Sequence, residues 1–275
     1  MEKLRNTIKK WTGALIIIGA LASCNPVTET AKNEIKGIIL PHHLIVEQYI
    51  DELYKLTAEK DLGIDRIIIF SPNHFNYGFN YIQTTDQDYP SPSPELDKDF
   101  IDNLSKSTPI QIEPKDFPRE HGITVELPFI TKYFPHARVV PIILKNGTPE
   151  NRINMLTDAI LKSDLSKTLI ISSIDFTHYE SESIAKANDE RTANYLANLK
   201  TKPNLKDLVE LSKSPSEKEN GAIAIDSPES LYAILRIMES QNHKDISIWK
   251  RTSSASLTGI ADPMQNTSHL FVIIK

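Results

Sequence analysis

Arg66-Ile67-Ile68-Ile69-Phe70-Ser71-Pro72-Asn73-His74 reads as a strand that ends in a polar turn. Four large apolar residues in a row leave no polar face, so such a strand must be covered on both sides, as in a parallel sheet between helices. The same pattern spreads outward in both directions. Ile35 to Leu40, Arg138 to Leu144, Thr168 to Ile174, Ala222 to Ile225, Ile246 to Arg251 and Leu270 to Ile274 are further strand candidates. Between them, Leu44 to Glu59, Pro94 to Ser107, Ile123 to Tyr133, Pro149 to Lys162, Glu182 to Leu199 and Pro228 to Ser240 have helical spacing. Strands alternating with helices predict an α/β fold, a single domain over residues 34–275 with a central, mainly parallel sheet flanked by helices on both faces. No internal repeat or interdomain linker interrupts it. Tyr89-Pro90-Ser91-Pro92-Ser93-Pro94 reads as a surface loop, and Lys213 to Asn220 as a polar loop.

The 275 residues are 40% hydrophobic and 24% charged, with 31 Lys+Arg against 36 Asp+Glu. That composition supports one large covered core and excludes global disorder. A net charge of −5 argues against binding nucleic acid through a broad basic surface. No Gly-rich phosphate loop, nucleophile elbow or metalloprotease helix is present, so nucleotide hydrolysis and serine hydrolase chemistry drop out.

The N-terminus has its own grammar. Lys3, Arg5, Lys9 and Lys10 precede the apolar run Trp11 to Leu21, which is shorter than the about 20 apolar residues that a spanning helix needs. Leu21-Ala22-Ser23-Cys24 follows and resembles a bacterial lipobox, with the chain's single cysteine at the position to be lipidated. Residues 1–23 are therefore expected to be a lipoprotein signal peptide, and residues 24–33 the lipidated Cys24 and a tether. A signal anchor or a buried N-terminal helix is the alternative. Without residues 1–23 the chain has 27 basic and 35 acidic groups, a charge of −8. Attachment would then rest on acyl chains rather than on attraction to anionic lipid. The expected location is the bacterial cell envelope, outside the cytoplasm.

Chemistry-bearing residues gather where strands end. Ile38-Ile39-Leu40 leads to Pro41-His42-His43, Ile68-Ile69-Phe70 to Ser71-Pro72-Asn73-His74, Ile170-Ile171 to Asp175-Phe176-Thr177-His178, and Ala224-Ile225 to Asp226-Ser227-Pro228. In open α/β sheets ligands bind outside the carboxyl ends of the strands, where these loops converge. Two histidines and a carboxylate with open positions suit non-haem Fe(II), and similar sets take Zn, Mn or Cu. Each member also has a plainer reading: Asp226 and Asp175 as helix caps, and His121, in Arg119-Glu120-His121-Gly122, as part of an ordinary charged helix start. Pro128 inside the following helical pattern predicts an interruption that would aim His121 and Glu126 at the site.

Ile38-Ile39-Leu40-Pro41-His42, Ser71-Pro72-Asn73-His74, Glu120-His121-Gly122-Ile123 with Leu127-Pro128-Phe129, Val140-Pro141-Ile142, and Ser172-Ser173 with Asp175-Phe176-Thr177-His178-Tyr179 together resemble the Memo family, whose prokaryotic members are called AmmeMemoRadiSam system protein B. The resemblance implies a fold similar to LigB-type extradiol dioxygenases, which open catechol rings with non-haem Fe(II), and a metal-binding redox protein with copper or iron implicated. Carried over, His42 and His74 fall on the family's two metal-ligand histidines, and Asp175 and His178 on its Asp-x-x-His motif, with His178 a candidate acid/base. The family's third ligand is a cysteine, and Asp226 stands at the corresponding position. His43-Leu44 replaces Ala-Gly, and Thr124 and Glu126 replace Glu and Gln.

A carboxylate in place of a thiolate moves the preference from Cu(I) toward Fe(II), Mn(II) or Zn(II). The expectation is one divalent transition metal, Fe(II) favoured, held by His42, His74 and Asp226. His178 would transfer a proton, Asp175 would fix its tautomer and His121 would assist, in a membrane-anchored redox enzyme acting on a small-molecule substrate. The alternatives are a non-catalytic surface lipoprotein with a degenerate metal site that binds a peptide or small ligand, and metal-assisted hydrolysis.

Overall fold

The computed structural model describes residues 34–60, 63–115, 117–199, 202–214 and 222–275. The signal peptide, Cys24 and its tether, and most of the Lys213 to Asn220 loop lie outside them. Among the described residues no helix is long and apolar enough to cross a membrane.

Eight strands form one sheet in the order β4-β3-β5-β2-β6-β1-β8-β7. They are β1 (Gly37–Leu40), β2 (Arg66–Pro72), β3 (Ile82–Thr84), β4 (Gln111–Ile112), β5 (Arg138–Leu144), β6 (Thr168–Ser173), β7 (Ile246–Ser253) and β8 (Ser268–Ile274). β5, β2, β6 and β1 run parallel as the central block, and β3, β8 and β7 join antiparallel at the two sides. The central strands are the apolar runs of the sequence, and β1, β6 and β8 are buried along their whole length. Burial on both faces is what the unbroken Ile/Val/Leu pattern requires.

The helices are α1 (Glu47–Lys60), α2 (Lys98–Ser107), α3 (His121–Thr124), α4 (Leu127–Tyr133), α5 (Glu150–Leu161), α6 (Glu182–Ala197), α7 (Leu205–Leu211), α8 (Pro228–Ser240) and α9 (Ser254–Thr258). The apolar α8 lies against β1, β2, β5 and β6 and is flanked by α5 and α7. α1 packs on α4 and sets Tyr49 against Phe271 of β8, with ring centroids 6.2 Å apart. The helical stretch Ile123 to Tyr133 is split as expected: α3 ends at Thr124, and α4 carries Pro128 in its first turn, where a missing N–H is harmless.

One expected strand does not form. Ala222 to Ile225 makes only isolated bridges, from Ile223 to His178 and Lys213. Both sides of β6 and of β1 are already paired, so no ladder position remains for it. Its other role survives, because it still delivers Asp226 to the carboxyl edge. β3 and β4, of three and two residues, were too short to show any periodicity.

Candidate metal centre at the carboxyl edge

The register of the central strands builds the site. Leu40 of β1 pairs with Ser173 of β6, so His42, two residues on, projects past the end of β6. Its Nδ1 lies 3.2 Å from Ser173 Oγ. Ser173 Oγ donates to Glu126 Oε1 at 3.1 Å, and Tyr54 Oη donates to Glu126 Oε2 at 2.9 Å. The Ser173 hydroxyl is thereby directed at Glu126 Oε1, so the His42 contact is completed by an Nδ1–H donated to Ser173. That tautomer leaves Nε2 with a free lone pair. Outer groups that fix a ring in this way are how metal-binding histidines are oriented.

His74 follows β2 and is held differently. Its Nδ1 lies 2.5 Å from Glu120 Oε1 and its backbone N–H donates to Glu120 Oε2 at 3.0 Å. Glu120 Oε1 also accepts from Gly122 N at 3.2 Å and so caps α3. A Cβ on Gly122 would meet Ser71 Oγ at 2.0 Å, so only glycine lets α3 approach β2 this closely. The approach stacks His121 on His74, ring centroids 3.9 Å apart, with His42 at 4.8 Å from His74 and 5.0 Å from His121. One nitrogen from each of His42, His74 and His121 lies within 4.8 Å of the others. Three imidazoles so placed can hold one metal ion.

The carboxylates arrive from the other side. Asp226 N donates to the Asp175 carbonyl at 3.2 Å, and Asp175 N donates to Asp226 Oδ2 at 3.0 Å, which pins the loop before α8 to the end of β6. Asp226 Oδ2 is 3.5 Å from His42 Nε2 and 3.8 Å from His74 Nε2. Asp175 Oδ2 is also 3.5 Å from His42 Nε2. The Oδ1 atoms of both aspartates are buried without a hydrogen-bond partner. Asp226 is not the cap of α8: Ser227 takes that place, its Oγ accepting from Ser230 N at 3.2 Å.

His178 lies beside this group but is not oriented by Asp175. Its Nδ1 donates to the Phe176 carbonyl at 2.7 Å, a contact inside its own turn, which leaves Nε2 as the available base. His74, His178 and Asp226 share a cleft of about 270 Å³ with Asn73 and Tyr179. The expected residues His42, His74, Asp226, Asp175, His121 and His178 thus meet at one sheet edge. Glu126 sits beneath them rather than among them, aimed at Ser173. Glu120, Ser173 and Tyr54 had no assigned role in the sequence. The signals for Glu120 are its place directly before a helix start and its presence in the Glu120-His121-Gly122-Ile123 stretch that carries the family resemblance.

The charges are those of a site built around a cation. Burial, then neighbouring His74, His121 and His178, hold His42 well below the usual imidazole range against the opposing Ser173 contact. Burial also pulls His74 down, but hydrogen bonds and charge from Asp226 and Glu120 outweigh it and set the group at about 10. Burial, then the charge of Asp226, push Asp175 well up. His121 and His178 are lowered, mainly by burial. With a partnerless oxygen on Asp175 and on Asp226 beside the ring nitrogens, the nitrogen and oxygen donor set suits Fe, Mn or Zn.

A family model described as Memo-like protein matches residues 3–266. A MEMO1 family protein of Nitrosopumilus maritimus is 28% identical over 172 residues, 60% of this chain and 62% of that protein. One from Methanosarcina mazei is 27% identical over 186 residues, covering 65% and 67%, and one from Saccharolobus solfataricus is 32% identical over 136 residues, covering 46% and 47%. The chain thus matches about half to two thirds of the length of these relatives. The crystal structure of uncharacterized protein JW3007 from Escherichia coli K12 has the same fold, with a TM-score of 0.56 at 15% identity over 88% of this chain and all of that one. With the family pattern running through the strand ends that hold His42, His74 and Asp175, and the match extending over nearly the whole sequence, the chain belongs to the Memo family.

Proposed function

We propose that this chain is a metal-dependent redox protein of the bacterial cell envelope, anchored through a lipid on Cys24 and acting on a small-molecule substrate, with Fe(II) the favoured metal. The observation that carries the metal reading is the shared aim of the His42 and His74 Nε2 atoms at Asp226 Oδ2, with Ser173 and Glu120 holding the opposite ring nitrogens. His42, His74 and Asp226 would hold the ion, and His121 offers a further nitrogen from the stacked side. When bound, such a metal supplies electron transfer and Lewis acidity.

The chain's own residues do the rest. His178 Nε2, free at the cleft, takes a proton from a bound substrate and returns it. Asp175 shares the space at His42 Nε2 with Asp226, which makes it a partner of the metal group rather than of His178. Phe75 stands with its ring centroid 6.2 Å from that of His121 and stacks on Tyr77, an exposed aromatic pair beside the imidazoles. That pair equally serves the second reading, a lipoprotein that binds a ligand without turning it over.

The first experiment is elemental analysis of the full chain purified without chelator, beside a His42→Ala, His74→Ala, Asp226→Ala variant. One equivalent of iron, manganese, zinc or copper that disappears in a folded variant supports the reading. No metal in either, after reconstitution, overturns it. Oxygen consumption during substrate screens then separates a redox enzyme from a binding protein, and hydrolytic turnover without redox change would point to metal-assisted hydrolysis.

A further inference from the structure

A second group of imidazoles lies on the β8 side of the site. His269, on β8 opposite Thr252 of β7, is fully buried, and neither of its ring nitrogens has a hydrogen-bond partner. His43, directly after His42 in extended backbone, turns its ring onto His269 with centroids 5.2 Å apart and an interplanar angle of 78°. Its Nδ1 is likewise buried and partnerless. A neutral imidazole always carries one N–H and one lone pair, so His269 leaves both unmet. Buried polar atoms of this kind ordinarily mark an ion or an ordered water.

We propose that His43 and His269 form a second metal site, distinct from the His42, His74, Asp226 centre and selective for a borderline ion of the zinc, copper or nickel class. Two nitrogens on one such ion at about 2.0–2.1 Å are at most roughly 4 Å apart, and two rings whose centroids lie 5.2 Å apart can present them. Among the described residues no carboxylate pairs with either ring. Arg251, whose charge acts on His269, is already paired with Asp189 at 2.8 Å and with Glu182. A nitrogen-only pair without a carboxylate rejects Mg, Ca and Mn, which want oxygen, and accepts ions that favour imidazole.

The two sites therefore differ in what they take, and that difference is the test. The full-length protein, stripped with chelator and then dialysed, is titrated with Mn(II) and separately with Zn(II), with bound metal counted by elemental analysis. The expected result is one equivalent of Mn(II) and two of Zn(II). His269→Phe and His43→Leu should each reduce Zn(II) to one equivalent and leave Mn(II) at one. His42→Ala, His74→Ala, Asp226→Ala should lose Mn(II) and keep one Zn(II), which separates failure of this proposal from failure of the first site. His43 is only half-buried, so His43→Leu reports even where His269→Phe does not fold. A wild-type protein that stops at one Zn(II), or a second equivalent that survives in a folded His43→Leu variant, overturns the proposal in favour of a bound water or an unrelated surface site.

Discussion

Glu120 Oε1 lies 2.5 Å from His74 Nδ1 while also accepting from Gly122 N, so one carboxylate both orients a metal-facing ring and starts the helix that brings His121 beside it. The two tasks can be separated. Glu120→Gln keeps an acceptor but loses the charge that favours His74 with its Nδ1 proton in place. It should weaken metal binding at the first site by about 10–100-fold, the usual effect of losing an outer partner of a ligand. Glu120→Ala should do the same and also lose the cap, about 1 kcal/mol of stability. Competition titration against a calibrated chelator and thermal unfolding measure the two effects; a Gln variant that binds metal like the wild type would remove Glu120 from the account.

Gly122 supplies a packing prediction. Gly122→Ala puts a methyl 2.0 Å from Ser71 Oγ and 3.1 Å from Ser71 Cβ, so α3 must move away from β2 and take His121 with it. Overpacking of this kind costs about 1–3 kcal/mol. Removing the hydroxyl with Ser71→Ala leaves the 3.1 Å contact to Ser71 Cβ and an ordinary one of 3.4 Å to His74 Cε1. The double variant should therefore regain much of the lost stability, and a thermal-melt double-mutant cycle with no coupling would show that α3 does not sit where the structure puts it.

Glu126 gives a pH dependence whose sign is fixed. Burial raises its carboxyl to about 8 despite the hydrogen bonds from Tyr54 and Ser173, whereas in the unfolded chain it titrates near 4.5. Between those values the folded state holds the extra proton, so the group's contribution to stability is full below about 4.5 and falls as pH rises toward about 8. Glu126→Gln removes the titration. The difference in melting temperature, variant minus wild type, should rise from pH 4.5 to 8 and level off above. A flat difference would mean that Glu126 is solvated and ionised throughout.

Most of the fold was legible because the buried strands carry their own signature. Ile67 to Phe70 and Val139 to Leu144 can only be covered on both faces, and that requirement alone dictates helices on either side. The two short strands beside β5 were not legible, since Ile82–Thr84 acquires its structure from β5 and Gln111–Ile112 from Ile82–Thr84, rather than from any pattern of their own. Ala222 to Ile225 looked like a strand because four small and apolar residues satisfy local preference, but pairing is decided by which ladder positions are free. The site's members were visible as polar residues at strand ends, yet their partners were not. That Phe176 rather than Asp175 holds His178 depends on the curl of one turn, in which Tyr179 has a φ of 59°. That Tyr54 supports Glu126 depends on a contact across 72 positions of sequence.

The position of the N-terminus relative to the site yields the last prediction. The chain enters β1 at Gly37 and leaves it at Leu40, two residues before His42, and β1 runs parallel to β2 and β6. The metal-facing groups therefore lie at the opposite edge of the sheet from Gly37, where the chain enters β1. β2, with seven residues at about 3.3 Å each, separates the two edges by roughly 23 Å. A protein lipidated on Cys24 should thus hold its metal site away from the bilayer, open to soluble ligands. Cys24→Ser should move the protein from the membrane to the soluble fraction. Chelator should strip metal at the same rate from vesicle-bound wild-type protein and from the detergent-solubilised form, because neither attachment nor headgroups approach His74 and Asp226. Stripping slowed more than about tenfold on vesicles would show that the site faces the lipid instead, and a Cys24→Ser protein that stays with the membrane would show that the anchor is not the cysteine.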